Sequence, residues 1–199
     1  HFLTNNINKK NITFVFSNYI IKKSKKIISN IVFGYCLKSY YFYKYKKSNL
    51  KKIDLNIYIL KKFSDLDYNM NLLKSINFTK DLVSEPANIL NPINYSLKCN
   101  ELKKFGIKVK ILDKYQLEKI GMTSLLGVAE GSSNDPRVVV LEWNIKKNSK
   151  PIILVGKGVT FDTGGISLKP SKGMEEMIMD MGGSAVVVGS MMNAALNKS

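Results

Sequence analysis

In the stretch LVGKGVTFDTGGISLKP, residues 154–170, Lys157 and Asp162 stand five positions apart on a glycine-rich turn behind an apolar run. Lys169 follows Lys157 by twelve positions and Asp180 follows it by twenty-three. Two phosphate-binding patterns can be tested against this stretch, and both fail. A dinucleotide fingerprint would put a third glycine where Phe161 stands, and a P-loop would put Ser or Thr after Lys157, where Gly158 stands. The single histidine is His1. That excludes a Ser-His-Asp or Cys-His arrangement and an HExxH zinc site, so any metal site must use oxygen ligands or a lysine. Taken as isolated residues, Lys157 and Asp162 read as a solvated lysine and a turn-forming aspartate on a tight strand-to-loop turn.

The elements around them follow from periodicity and punctuation. ITFVF (12–16) reads as a strand, and 19–37 has helical spacing through Ile20, Ile21, Ile27, Ile28, Ile31, Val32 and Tyr35. SYYFYKYKKSNLKK is a charged connection, and DLNIYIL (54–60) alternates as a half-buried strand does. A helix over 69–84 ends at SEPANILNP, where Pro86 and Pro92 oppose continuation. Asn94 is placed to cap a helix to Phe105, with Gly106 as its stop, and Asp113 to cap a short helix after the strand IKVKIL (107–112). RVVVLEW (137–143) and PIILVG (151–156) read as strands covered on both faces, and 182–197 as a buried helix rich in small residues.

The chain has 199 residues, 45% of them hydrophobic, enough for a real core. No apolar run approaches the roughly 18 residues of a membrane span, and no signal-peptide pattern opens the chain. A soluble globular protein is expected. The start at His1 reads as an N-terminus that is trimmed or incomplete. Cys36 and Cys99 form no paired motif, which suits a reducing compartment. Of the net charge of +16, most lies in residues 1–80, where sixteen Lys face Asp54, Asp65 and Asp67. A basic face for nucleic acid or an anionic membrane is one reading. The weightier one is codon usage: Lys, Asn and Ile abound together, and Arg137 is the lone arginine, although arginine is favoured for reading phosphates and base edges.

VGKGVTFDTGGISLKP, followed by MDMGGSA, closely resembles the metal-binding loop and following helix of the leucyl (cytosol) aminopeptidase family of metallo-exopeptidases. DLVSEPANILNP is similar to that family's entry to its catalytic domain, with Ser84 where Asn is usual. GMTSLLGVAEGSSNDPRVVVLEW and FGYCLKSYYFYKYKK resemble neighbouring family segments, so the likeness covers nearly the whole chain. It implies an α/β fold in which the end of an N-terminal α/β domain (1–68) leads through a connecting helix and linker (69–92) to the first half of an α/β catalytic domain (93–199) with a central mixed sheet. It also implies two divalent metal ions, Mn or Zn, with Lys157, Asp162 and Asp180 as ligands. A lysine ligand needs its neutral amine, which two nearby dications and partial burial favour. Glycines 164 and 165 would let Lys157 and Asp162 converge where a Cβ would clash.

The same resemblance implies hydrolysis of peptides at the N-terminal residue, with leucine-like preference. The metals polarise the scissile carbonyl and activate a water. Lys169 becomes the catalytic lysine that stabilises the oxyanion. Lys157, Asp162, Lys169 and Met177 would contact substrate, Met177 as a wall of the apolar pocket or simply as helix packing among its neighbouring methionines. Implied too are a cytoplasmic homohexamer without membrane contact, and a bicarbonate held by an arginine in an NTDAEGR segment that also supplies two further ligands. Nothing here corresponds to that segment. Three ligands stand where five are expected, so the chain reads as a fragment, inactive alone. The alternative from another class is a non-catalytic protein whose Lys-rich N-terminal region binds nucleic acid, weakly.

Overall fold

The structure, a computed structural model, describes residues 11–16, 18–45, 54–58, 64–144 and 150–199. Residues Ile59 and Leu60 of the expected second strand, and 46–52 of the charged connection, lie outside them. The chain divides into two compact units, His1–Leu73 and Lys74–Ser199, and the division falls inside one helix. Among the described residues no helix is long and apolar enough to cross a membrane.

In the first unit, β1 (Asn11–Val15) lies parallel to β2 (Asp54–Tyr58), with Asn11 opposite Asp54 and Val15 opposite Tyr58. Between them runs α1 (Asn18–Lys38), broken at Ser24, where φ −152° and ψ 51° are not helical. A parallel pair needs such a crossover. Ile28 and Val32, four apart on one helical face, are buried against Phe16, Cys36, Leu66 and Met70. Ile27 and Ile31, equally apolar, face outward. Ser29 is fully buried in this contact; its Oγ donates to the carbonyl of Asp65 and accepts from Asn69 Nδ2, each at 2.8 Å. Both partners lie on the start of α2 (Ser64–Ser84).

The second unit carries the larger core. It begins with the end of α2, then α3 (Pro92–Asn100), which tightens into a 3₁₀ turn over Glu101–Phe105. Asn91 is the cap, not Asn94: Asn91 Oδ1 accepts from the Asn94 N–H at 3.0 Å. Pro92 explains the shift, because a first helical residue needs no N–H and proline is already at helical φ. Gly106, at φ 84°, ends the element as expected, since left-handed backbone favours glycine. Strand β3 (Lys108–Leu112) follows and pairs antiparallel with β4 (Val138–Glu142), Lys108 opposite Glu142. Asp113 caps α4 (Lys114–Lys119) through a capping box: its Oδ1 accepts from Gln116 N while Gln116 Oε1 accepts from Asp113 N. A short α5 (Thr123–Ala129) leads toward β4.

Two strand expectations change. β4 is only partly covered, with Val140 38% exposed, and residues 151–156 pair with no strand among the described residues. Ile152 and Val155 are 92% and 90% exposed. A β-branched run supplies the propensity, but a strand forms only where its N–H and C=O groups meet a neighbour.

The last helix, α7 (Gly182–Asn197), buries Ala185, Val188, Gly189, Met192 and Ala195 on one face. That face joins Leu82, Leu90, Tyr95, Cys99, Leu102 and Ile107 in the core. Gly189 lets α2 come close: a Cβ there would collide with Thr79 Oγ1, which donates to the carbonyls of Ser75 and Ala185. Leu102 is 1% exposed in this core. Replacing it with alanine is expected to cost about 2–5 kcal/mol through lost burial and the cavity left behind, read from chemical denaturation. Lys98→Ala, which removes a half-exposed pair with Glu101 at 3.0 Å, should change stability by no more than about 1 kcal/mol.

Candidate metal centre

Lys157 meets Asp180 beside the first turn of α7, and Lys169 joins Asp162 and Met177. Residues 150–159 run without helix or strand past the first turn of that helix. The Ser184 N–H, one of the helix's unsatisfied first-turn donors, bonds the carbonyl of Lys157 at 2.8 Å. Gly183 lies against the Lys157 backbone, and a Cβ on it would stand 3.2 Å from Lys157 N. The same docking brings the Lys157 side chain to Asp180, two residues before the helix, with Nζ 2.6 Å from Oδ1.

Asp162 sits on a turn that its own side chain closes. Its Oδ1 accepts from Gly164 N at 2.8 Å, and Lys169 N donates to the Thr163 carbonyl at 2.9 Å across the loop. Gly164 is at φ 90°, and a Cβ there would collide with the Ser167 carbonyl. Gly165 needs its glycine for a different reason than expected: space around it is open, but φ 72° is left-handed. Lys169, brought back by this loop, places Nζ 2.8 Å from Asp162 Oδ2 and 3.2 Å from Met177 Sδ. Met177 lies in the 3₁₀ segment Glu175–Met179 that follows the short α6 (Ser171–Met174).

The charges form a linked set of two ammoniums and two carboxylates. Asp162 is held below the usual carboxylate range, first by the hydrogen bond from Lys169 and next by that from Gly164, with the charges of Lys169 and then Lys157 adding. Lys157 therefore acts on both aspartates. Asp180 is mostly buried, and its Oδ2 is a buried oxygen with no hydrogen-bond partner. Such an orphaned acceptor is costly unless a donor or cation meets it. Among the described residues no three His, Cys, Asp or Glu side chains cluster to hold a metal by themselves. The donor set here is mixed, two carboxylates and an amine, and it suits hard to borderline divalent cations once the amine is neutral.

Tyr95 and Ser184 escaped sequence reasoning. The Tyr95 hydroxyl and Ser184 Oγ lie 2.9 Å apart, and Ser184 Oγ donates to the Met181 carbonyl at 2.7 Å, which leaves the tyrosine as donor. Burial pushes the Tyr95 hydroxyl's pKa up. Cys99, in the same core, is pushed up to about 12 by burial, so it is an inert thiol rather than a nucleophile.

The cytosol aminopeptidase family's catalytic domain matches residues 77–199. The chain is 41% identical, over 97% of its length, to a probable cytosol aminopeptidase of Phytoplasma australiense, and spans 41% of that relative. Among solved structures it superposes on the cytosol aminopeptidase of Coxiella burnetii with TM-score 0.81 at 25% identity, covering 94% of this chain and 39% of that one. The bottromycin maturation enzyme BotP, solved in complex with Mn, gives TM-score 0.71 at 29% identity, covering 84% and 36%.

Proposed function

The chain belongs to the cytosol aminopeptidase family, and we propose on that footing that it forms the first part of a metal-dependent aminopeptidase site built on Lys157, Asp162 and Asp180. The single observation that carries this reading is the buried, partnerless Asp180 Oδ2 beside an amine that also acts on Asp162. Bound divalent ions, Mn or Zn, would supply charge to polarise a peptide carbonyl and to acidify a water. Asp162 would offer such ions a carboxylate whose two oxygens are now held by Gly164 N and Lys169 Nζ. Lys157 would bind as the free amine, giving up the proton that now pairs it with Asp180.

Lys169 keeps its proton in this reading. Its ammonium lies between Asp162 and Met177, and as a cation it would donate to the developing oxyanion of the scissile carbonyl. Met177, at that ammonium's other side, forms a wall for the first side chain of the substrate, which suits an apolar, leucine-like residue. Peptides are the substrates in this reading, and the full polypeptide would work as a cytoplasmic homohexamer.

The experiment is a chimera in which residues 77–199 replace the matching segment of a full-length cytosol aminopeptidase. Lys169→Ala in it should leave metal content nearly intact and lower kcat on a leucyl amide by about 10²-fold, the scale of one oxyanion donor. Parallel loss of metal would assign Lys169 to the metal set instead.

A further inference from the structure

We propose that Tyr95 and Ser184 are positioning residues that fix the spacing between Lys157 and Asp180, an inference that rests on the metal-site reading above. Lys157 and Asp180 lie on separate segments, and what joins those segments is the first turn of α7. There Ser184 does two things. Its backbone N–H holds the Lys157 carbonyl at 2.8 Å, and its Oγ holds the Met181 carbonyl at 2.7 Å, one residue from Asp180. That hydroxyl is in turn fixed by the Tyr95 hydroxyl at 2.9 Å, from a ring 7% exposed in the core between α3 and α7.

The fit leaves little freedom. A Cβ on Gly156 would stand 2.5 Å from Ser184 Cα and 2.6 Å from the Gly183 carbonyl oxygen. With the helix turn locked from the core side by Tyr95 and pressed against residues 156–158 on the other, Lys157 and Asp180 have one register. Hydrogen bonds that orient ligands from behind commonly set metal affinity even though they never touch the ion. The Tyr95 hydroxyl contacts none of the residues assigned to substrate, so its role is positioning rather than catalysis.

Tyr95→Phe removes the hydroxyl and keeps the ring in the core; Ser184→Ala breaks the same link from the other side and serves should the first variant fold poorly. In the 199-residue chain, backbone hydrogen exchange read by NMR should speed up about tenfold at Ser184, the size of one lost hydrogen bond, while Met192 and Ala195 on the same helix keep their rates. Mn²⁺ affinity, titrated on the same samples, should fall about tenfold or more. Unchanged exchange at Ser184, or faster exchange spread evenly along α7 with Mn²⁺ affinity unmoved, overturns the proposal and leaves Tyr95 a packing residue. Local exchange at Ser184 in a chain that binds no Mn²⁺ even as wild type would uphold the clamp and reject the metal reading instead.

Discussion

Asp162→Ala in the chimera is expected to abolish turnover of a leucyl amide, a loss well beyond the roughly 10²-fold assigned to Lys169→Ala. Three losses coincide. The turn loses the bond from Gly164 N, Lys169 loses its anchor on Oδ2, and the linked set of two lysines and two aspartates becomes net positive. Surplus positive charge repels cations. Asp162→Asn separates these effects, because an amide oxygen still accepts from Gly164 while the charge is gone. It should fold with the loop intact and remain inactive, with metal content by elemental analysis falling in both variants. Activity retained in Asp162→Asn would mean that the carboxylate's charge is not what the site uses.

The second large effect belongs to a residue without a side chain. Gly156→Val is expected to destabilise the second unit by about 1–3 kcal/mol or more, the usual cost of overpacking. The atoms its Cβ would meet are Ser184 Cα at 2.5 Å, the Gly183 carbonyl oxygen at 2.6 Å and Gly183 C at 2.7 Å, all backbone. No rotamer change can relieve that contact, so the helix start must move away from residues 156–158. The bond from Ser184 N to Lys157 O and the 2.6 Å approach of Lys157 to Asp180 should be lost with it. Gly131→Ala is the control: nothing lies within 4 Å of its Cβ and its φ is not positive. Denaturation midpoints and bound Mn²⁺ should both drop for Gly156→Val and for neither reading in Gly131→Ala.

The parts of the fold that could be read from sequence are those whose causes are local. Asp113 caps its helix through Gln116, three residues away, and Gly106 stops one through its own φ. The small-residue helix over 182–197 needs only its own periodicity. Asn91 caps its helix in place of Asn94 because Pro92, which follows it, suits the first helical position. Residues 151–156 show the limit more sharply. Their β-branched side chains favour an extended backbone, but whether that backbone joins a sheet depends on a distant neighbour. The site divides in the same way. Lys157, Asp162, Lys169, Met177 and Asp180 belong to one long motif and could be named together, whereas the Tyr95 to Ser184 bond spans 89 positions and leaves no periodic trace.

The central claim is that Lys157, Asp162 and Asp180 hold divalent metal. It is tested most directly by anomalous scattering at the manganese edge from Mn²⁺-soaked crystals of the chimera. Density is expected within bonding distance of the Asp162 carboxylate, with the Lys157 amine and the formerly partnerless Asp180 Oδ2 as neighbours and the Lys157–Asp180 ion pair opened. Metal bound elsewhere, with Lys157 still paired to Asp180 as in the 2.6 Å contact seen here, would contradict it.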